Sequence, residues 1–258
     1  MLFIYTSAYR ETYFDSVRKV LSLPTGSVQR FIYDDKYVHP DIRKNPSKYI
    51  GKEAIVLYIQ KNNNLETSIP LRKVIVKDVV VEEDIVAIDF IHTDLYWRPQ
   101  KKAASTMRRL MELKQKNNRY FVFKGEDPGI KLGSSRKDIF HFLLGDPNLR
   151  ESNGRKINLL YGISVIGDYE ASDGVIKLKR GREVLFRLYF YSAEKSRLRG
   201  MKIFTHLGKL DFPVDYDEND LRSGIVDFLA YPVEVGFDSV TIDIDDGYRT
   251  TFIIEVEE

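Results

Sequence analysis

Cysteine is absent from this chain. That excludes a disulfide scaffold, a thiolate zinc site and a cysteine nucleophile, and it agrees with a reducing compartment. Long apolar runs are missing as well. No stretch approaches the roughly 18 residues a membrane-spanning helix needs. The opening MLFIYTSAYRETYF has neither the basic leader nor the sustained apolar segment of a secretory signal. The expectation is a cytoplasmic protein with no membrane partner. Histidine is scarce: His39, His92, His141 and His206 are scattered, and none stands in a nucleophile or metal-ligand spacing. His141, inside DIFHFLL, reads as a packed helix residue. The glycine–lysine spacing of a phosphate-binding P-loop is also absent.

Charge is present in quantity and unevenly spread. From Asp211 to the end there are fourteen acids and two arginines, a net of −12, which leaves +14 on residues 1–210 of a chain whose formal net charge is +2. Such a split points to a polyanion partner for the basic part, to a basic protein partner for the acidic end, or to the acidic end screening the basic part internally. The basic excess peaks between Arg98 and Arg119, with eight Lys or Arg against Glu112 alone. At about 100° per residue, Ala103, Ala104, Met107, Leu110 and Met111 share one side of a helix here. Lys101, Lys102, Arg108, Arg109 and Lys116 share the other. An apolar seam for packing and a cationic face for water, or for phosphates, are expected. No aromatic residue lies on that basic face.

The rest of the pattern is mainly β, of α+β type, and separates into three parts. Residues 1–97 predict a lobe with a small barrel or curved antiparallel sheet. It holds a strand at Leu2–Thr6, a helix through Tyr13–Leu21 stopped by Pro24 and Gly26, and strand candidates at 27–38, 53–60, 71–81 and 85–92. Residues 98–150 predict a helical bridge, with the basic helix followed by a second at about 135–144. Residues 151–258 predict a β-sandwich. Turn signals there fall at Asp173-Gly174, Arg180-Gly181 and Asp246-Gly247, and the strand at 184–191 is apolar enough on both sides to be covered on both.

Several residue groups invite a chemical reading. Asp89, His92 and Asp94 have the composition of a metal site, but strand alternation sends Asp89 and His92 to opposite faces. Asp215, Asp217, Asn219 and Asp220 begin like a calcium loop, yet the sixth position is Asp220 rather than glycine and the twelfth is Val226 rather than glutamate. Lys131, Gly133, Ser134, Ser135, Arg136 and Lys137 precede a helix. They fit either an anion held by free backbone amides or a serine cap completed by Asp138. Arg30, Phe31, Tyr33, Lys36 and Tyr37 interleave cations with rings, as base stacking requires and as a barrel strand also does. Trp97 reads as a packing anchor. A Ser-His-Asp set assembled in space is a further alternative, since such sets are defined by geometry rather than by order.

The leading expectation is a non-enzymatic nucleic-acid or polyanion binder. Lys101, Lys102, Arg108, Arg109 and Lys116, joined by Lys131, Arg136 and Lys137, would contact phosphates of DNA or RNA. The second is a protein-interaction module using the acidic end, and the third a metal-dependent hydrolase. No cofactor is expected.

Overall fold

A computed structural model of the chain describes residues 1–7, 11–62, 65–144, 151–152, 155–156, 158–192, 200–213, 220, 223–244 and 248–258. The fold is mainly β, with a curled half-barrel sheet, a few helices and further sheets. Among the described residues no helix is long and apolar enough to cross a membrane. The chain forms two compact units, Met1–Leu21 with Gln29–Leu149, and Ser22–Val28 with Arg150–Glu258.

The first unit is built on a seven-stranded sheet. Its strands run, in spatial order, Val28–Asp34, Ile85–Trp97, Leu65–Val81, Glu53–Asn62, Leu2–Ser7 and Val122–Lys124, with Leu132–Gly133 beside the end of Ile85–Trp97. The meander from 53 to 97 is antiparallel, as the alternation of its residues implies. The first strand instead runs parallel to Glu53–Asn62, Phe3 opposite Ile55. A parallel neighbour needs a crossover, and the helix Glu11–Ser22 lies within it. The strand expected from Leu71 begins at Leu65 and carries Pro70 within it. The ladder tolerates that proline because its register shifts there: Leu57 faces Pro70 while Val56 faces Arg72.

Both expected helices of the 98–150 segment are present, at Ala103–Lys116 and Arg136–Leu143, and both belong to the first unit. Leu110 of the longer one is fully buried, in a cluster with Phe3, Tyr5, Ile55, Leu57 and Phe123. Its packing seam is rotated from the expected one: Leu113 takes part, and Ala104 faces water. The buried Trp97 packs edge-on against Phe142 with ring centroids 5.3 Å apart. His141, expected to be packed, is exposed; Ile139, Phe140 and Leu143 take the buried positions of that helix instead.

The second unit is a β-sandwich. A four-stranded sheet runs Asn158–Gly167, Val184–Ser192, Ile225–Pro232, Leu210–Asp211. A five-stranded sheet runs Tyr169–Ser172, Val175–Lys179, Arg249–Glu257, Gly236–Ile244, Met201–Thr205. Their inner residues form one core, in which Phe186 and Leu188 of the first meet Val240, Ile242, Phe252 and Ile254 of the second. Val184, Phe186, Leu188 and Phe190 are buried, whereas Arg187 and Tyr189 on the opposite face are half-exposed. The expectation that both sides of this strand are covered is therefore corrected. The outer residues are large without being enclosed, and Arg187 instead forms a two-armed bond to Asp227 at 2.7 and 2.8 Å.

The short segment 22–28 belongs to this sandwich. Leu23 sits in its core, and the Ser22 hydroxyl lies 3.1 Å from the Tyr248 hydroxyl. Gly26 has φ +89°, and a Cβ there would stand 2.4 Å from that of Ala171, so only glycine fits.

Candidate nucleic-acid interface

Helix Ala103–Lys116 presents Lys101, Lys102, Arg108, Arg109 and Lys116 to solvent at its start and along its outer face. The buried Leu110 and the half-buried Leu113 fix which side faces inward. The middle of the helix is tied to the following loop through Arg109, whose Nη1 donates to the Pro128 carbonyl at 3.4 Å. Its start is tied through Arg98. The Arg98 backbone N–H donates to the Lys131 carbonyl at 3.1 Å, and Trp97 and Tyr96 pair with Leu132 and Gly133. Lys101 and Lys102 follow Arg98 by three and four residues, so this ladder brings the Lys131 end of the loop beside the start of the helix.

The 131–137 loop is organised by packing. A Cβ on Gly133 would lie 2.1 Å from Arg98 Nε, so the glycine makes room for that side chain. Ser135 is at the cap position with extended backbone, but its hydroxyl makes no capping bond. Asp138 turns to Arg98 at 3.6 Å rather than completing a box. The expected serine cap is therefore not made. Lys131 and Lys137 are exposed. Arg136 is half-buried with its guanidinium 5.6 Å from the Tyr96 ring centre.

Charge pairing separates these cations from the others. Among the described residues, Lys101, Lys102, Arg108, Arg109, Lys116, Lys131 and Lys137 make no ion pair. Elsewhere many cations have carboxylate neighbours, among them Arg30 with Asp89, Arg43 with Asp35, Lys73 with Glu53, Lys177 with Glu255 and Glu257, Arg187 with Asp227, and Arg249 with Asp243, while Lys19, Lys44, Lys52, Lys124, Arg182 and Lys202 are scattered cations without such a pair among the described residues. Most of the described acids of the C-terminal stretch are engaged within their own unit. Asp227, Glu234, Asp243, Glu255, Glu257 and Glu258 each face a Lys or Arg. The Asp238 carboxylate is occupied by four backbone N–H groups, of His206, Leu207, Lys209 and Ser239.

The alternative chemical sites take other roles. Asp89 forms a two-armed bond to Arg30, while His92 is buried on the opposite face, as alternation requires. Gln29 Nε2 donates to the Ser16 carbonyl, so its Oε1 accepts from His92 Nε2 at 3.1 Å. Burial, with the Arg72 charge adding to it, holds the His92 imidazole well below its ordinary 6.5. The ring therefore stays neutral when folded and charges when unfolded. As pH falls below 6.5, stability is expected to fall by up to about 1.4 kcal/mol per pH unit. His92→Gln should abolish that slope in urea titrations at several pH values; an unchanged slope would assign it to another group.

In the strand Val28–Asp34, Phe31 is buried edge-on against Phe90 at 5.0 Å, and the Tyr33 hydroxyl donates to the Tyr5 carbonyl at 2.9 Å. Both rings serve packing. Asp215, Asp217 and Asn219 lie outside the described residues, as does the turn expected at Asp246-Gly247. Among the described residues no three His, Asp or Glu side chains group as a metal site.

Ser239, His206 and Asp238 do meet, in a shallow groove of ≈ 360 Å³ on the sandwich. They are not wired as a triad. Asp238 is consumed by the four amides, and the His206 ring nitrogen Nε2 faces the Thr241 hydroxyl at 3.0 Å.

Reasoning from sequence singled out Tyr37 but not His39, Tyr120 and Phe121, the other rings beside the helix end. Tyr120 and Phe121, immediately after it, meet His39 and Tyr37 from a segment some eighty residues earlier. The available signal was the aromatic pair directly following a basic helix. No family model and no curated relative matches the sequence.

Proposed function

We propose that this protein binds nucleic acid as a polyanion, through the cationic face of helix Ala103–Lys116 together with Lys131, Arg136 and Lys137. The observation that carries the reading is the contrast in pairing. A folded chain normally places its cations near its carboxylates, and many of this chain's described cations are so paired, the unpaired ones elsewhere being scattered singly. On this helix and the loop beside it, Lys101, Lys102, Arg108, Arg109, Lys116, Lys131 and Lys137 are exposed and gathered with no carboxylate paired to them among the described residues, while the neighbouring Arg98 takes Asp138. Such a face attracts phosphates and releases condensed counterions when they bind. The acid-docking alternative is weaker, because the described acids of the C-terminal stretch are mostly held by neighbours in the same unit.

The test is fluorescence anisotropy with short labelled DNA and RNA over a salt titration. Wild type is expected to show a steep negative dependence of log K on log salt. Replacing both Arg108 and Arg109 by Glu should flatten that slope by about 2 and raise the low-salt Kd on the order of a hundredfold. An unchanged Kd in the double variant would move the interface off this helix.

A further inference from the structure

We infer that the surface at the carboxyl end of the basic helix is a stacking platform for unpaired bases, so that the preferred ligand is single-stranded nucleic acid. This rests on the polyanion reading above and adds a ligand class to it. The helix ends at Lys116, and a short turn through Asn117 leads to Arg119, Tyr120 and Phe121. That turn is laced to the segment 37–39. The Phe121 N–H donates to the Tyr37 carbonyl at 2.7 Å, the His39 N–H donates to the Val122 carbonyl at 2.9 Å, and Val38 and Val122 form a parallel bridge. Two chain segments are thus fixed side by side, and each contributes two rings.

The rings are Tyr37 and Phe121, with centroids 5.4 Å apart and planes at 77°, and His39 and Tyr120, 5.0 Å apart at 66°. All four are half-exposed, unlike Phe3, Phe90 and Phe123, which are buried in the same unit. Cations lie against them. The Arg119 guanidinium is 5.0 Å from the Tyr120 ring centre and donates to its hydroxyl at 2.9 Å. Lys36 Nζ is 5.0 Å from the Tyr37 ring centre, and Lys114 Nζ is 4.8 Å from that of Phe121. Of the acids nearby, Asp34 pairs with Lys36, Asp35 with Arg43, and Asp41, close to His39, accepts from the Tyr49 hydroxyl, while Glu66 lies near Lys114.

Half-exposed rings carrying cations, at the end of a phosphate-attracting helix face, combine the two elements that hold a single strand: π-faces for the bases and positive charge for the backbone. A duplex keeps its base faces inside the stack and has nothing to offer the rings. A strand lying along the helix would place phosphates near Arg108, Arg109 and Lys116, and its bases on Tyr120 and Tyr37.

The experiment measures wild-type binding to four labelled probes of equal length: a thymidine homopolymer, a uridine homopolymer, a duplex, and a thymidine-type strand lacking its bases. The abasic strand keeps the phosphates and removes the stacking partners, so it needs no variant that might misfold. Each base lost from a ring is expected to weaken binding about tenfold. The abasic strand should therefore bind at least tenfold more weakly than either homopolymer, with an unchanged salt slope, and the duplex should also bind more weakly.

Tyr120→Leu should reproduce the loss on homopolymers alone, and Tyr120→Phe should restore binding. Equal binding of abasic and ordinary strands overturns the platform while leaving the polyanion reading intact. No binding to any probe overturns both. A Tyr120→Leu loss that extends equally to the duplex and the abasic strand also overturns it, because the ring would then be acting through the fold. A difference between the thymidine and uridine probes identifies DNA or RNA as the preferred source of the same chemistry.

Discussion

Arg72→Ala is expected to lower the stability of the first unit by about 4 kcal/mol. Arg72 has no exposed surface. It lies in strand Leu65–Val81, where the alternation of a half-barrel strand turns it inward. Its Nε donates to the Thr93 carbonyl at 2.6 Å and its Nη1 to the Val20 carbonyl at 3.0 Å, and its guanidinium stacks 4.6 Å from the Tyr96 ring centre. Val20 is in the last turn of helix Glu11–Ser22, where carbonyls lack partners within the helix and the dipole is negative.

The guanidinium thus ties a helix end to two strands. Burial costs it enough to lower its pKa to about 10, against the support of the Tyr96 and Asp94 neighbourhood. Truncation leaves two buried carbonyls without these donors, each costing roughly 1 to 3 kcal/mol, and opens a cavity beneath Tyr96. Lysine keeps the charge but not the fork, and should fall between. The readout is convenient, because the single tryptophan, Trp97, is buried in this unit. Its fluorescence in a urea titration should show the midpoint fall. A loss below about 1 kcal/mol would mean that Arg72 is tolerated rather than required.

Asp238→Ala should cost the sandwich about 3 kcal/mol through a different failure. This carboxylate is 4% exposed. Burial raises its pKa, but the N–H groups of Lys209, Ser239, Leu207 and His206 outweigh that and hold it below its ordinary 3.8. They also shape the turn that follows strand Met201–Thr205. Removing the acceptor strands four donors at once. Asp238→Asn is nearly isosteric yet should be almost as damaging, because its amide N–H₂ would face N–H donors.

The carboxylate is the more acidic group when folded. Its contribution is therefore complete above pH 3.8 and fades as pH falls below that value. Amide hydrogen exchange should show His206, Leu207, Lys209 and Ser239 losing protection together in either variant, while the Trp97 unfolding curve stays in place. Retained protection in Asp238→Asn would refute the acceptor account.

Much of the fold could be read from local pattern. The apolar, β-branched or aromatic runs at 53–60, 85–92 and 184–191, the Pro24 and Gly26 stop, and the Asp173-Gly174 turn each report on a few neighbouring residues, and local sterics decide such features. What stayed hidden depends on distant partners. Nothing within Leu2–Ser7 says that it runs parallel to a strand fifty residues on. Nothing in Pro70 reveals the register shift that accepts it. The candidate site divides the same way. The exposure of Lys101, Lys102, Arg108, Arg109 and Lys116 follows from helical spacing. The meeting of Tyr37 and His39 with Phe121 and Tyr120 follows from a backbone bridge between Val38 and Val122, which no local period encodes.

The placement of residues 22–28 in the sandwich has a consequence for synthesis. Leu23 and Ser22 leave the ribosome well before their partners Phe252, Ile254 and Tyr248, the last of which follows Ser22 by 226 residues. The sandwich therefore cannot close until residues 248–254 have been made. Until then the apolar Leu23 segment has no core to enter, which is the kind of exposure that recruits chaperones. A fragment starting at residue 151 would lack Leu23 permanently, so dissecting this protein at the boundary its composition suggests would yield a sandwich missing part of its own interior.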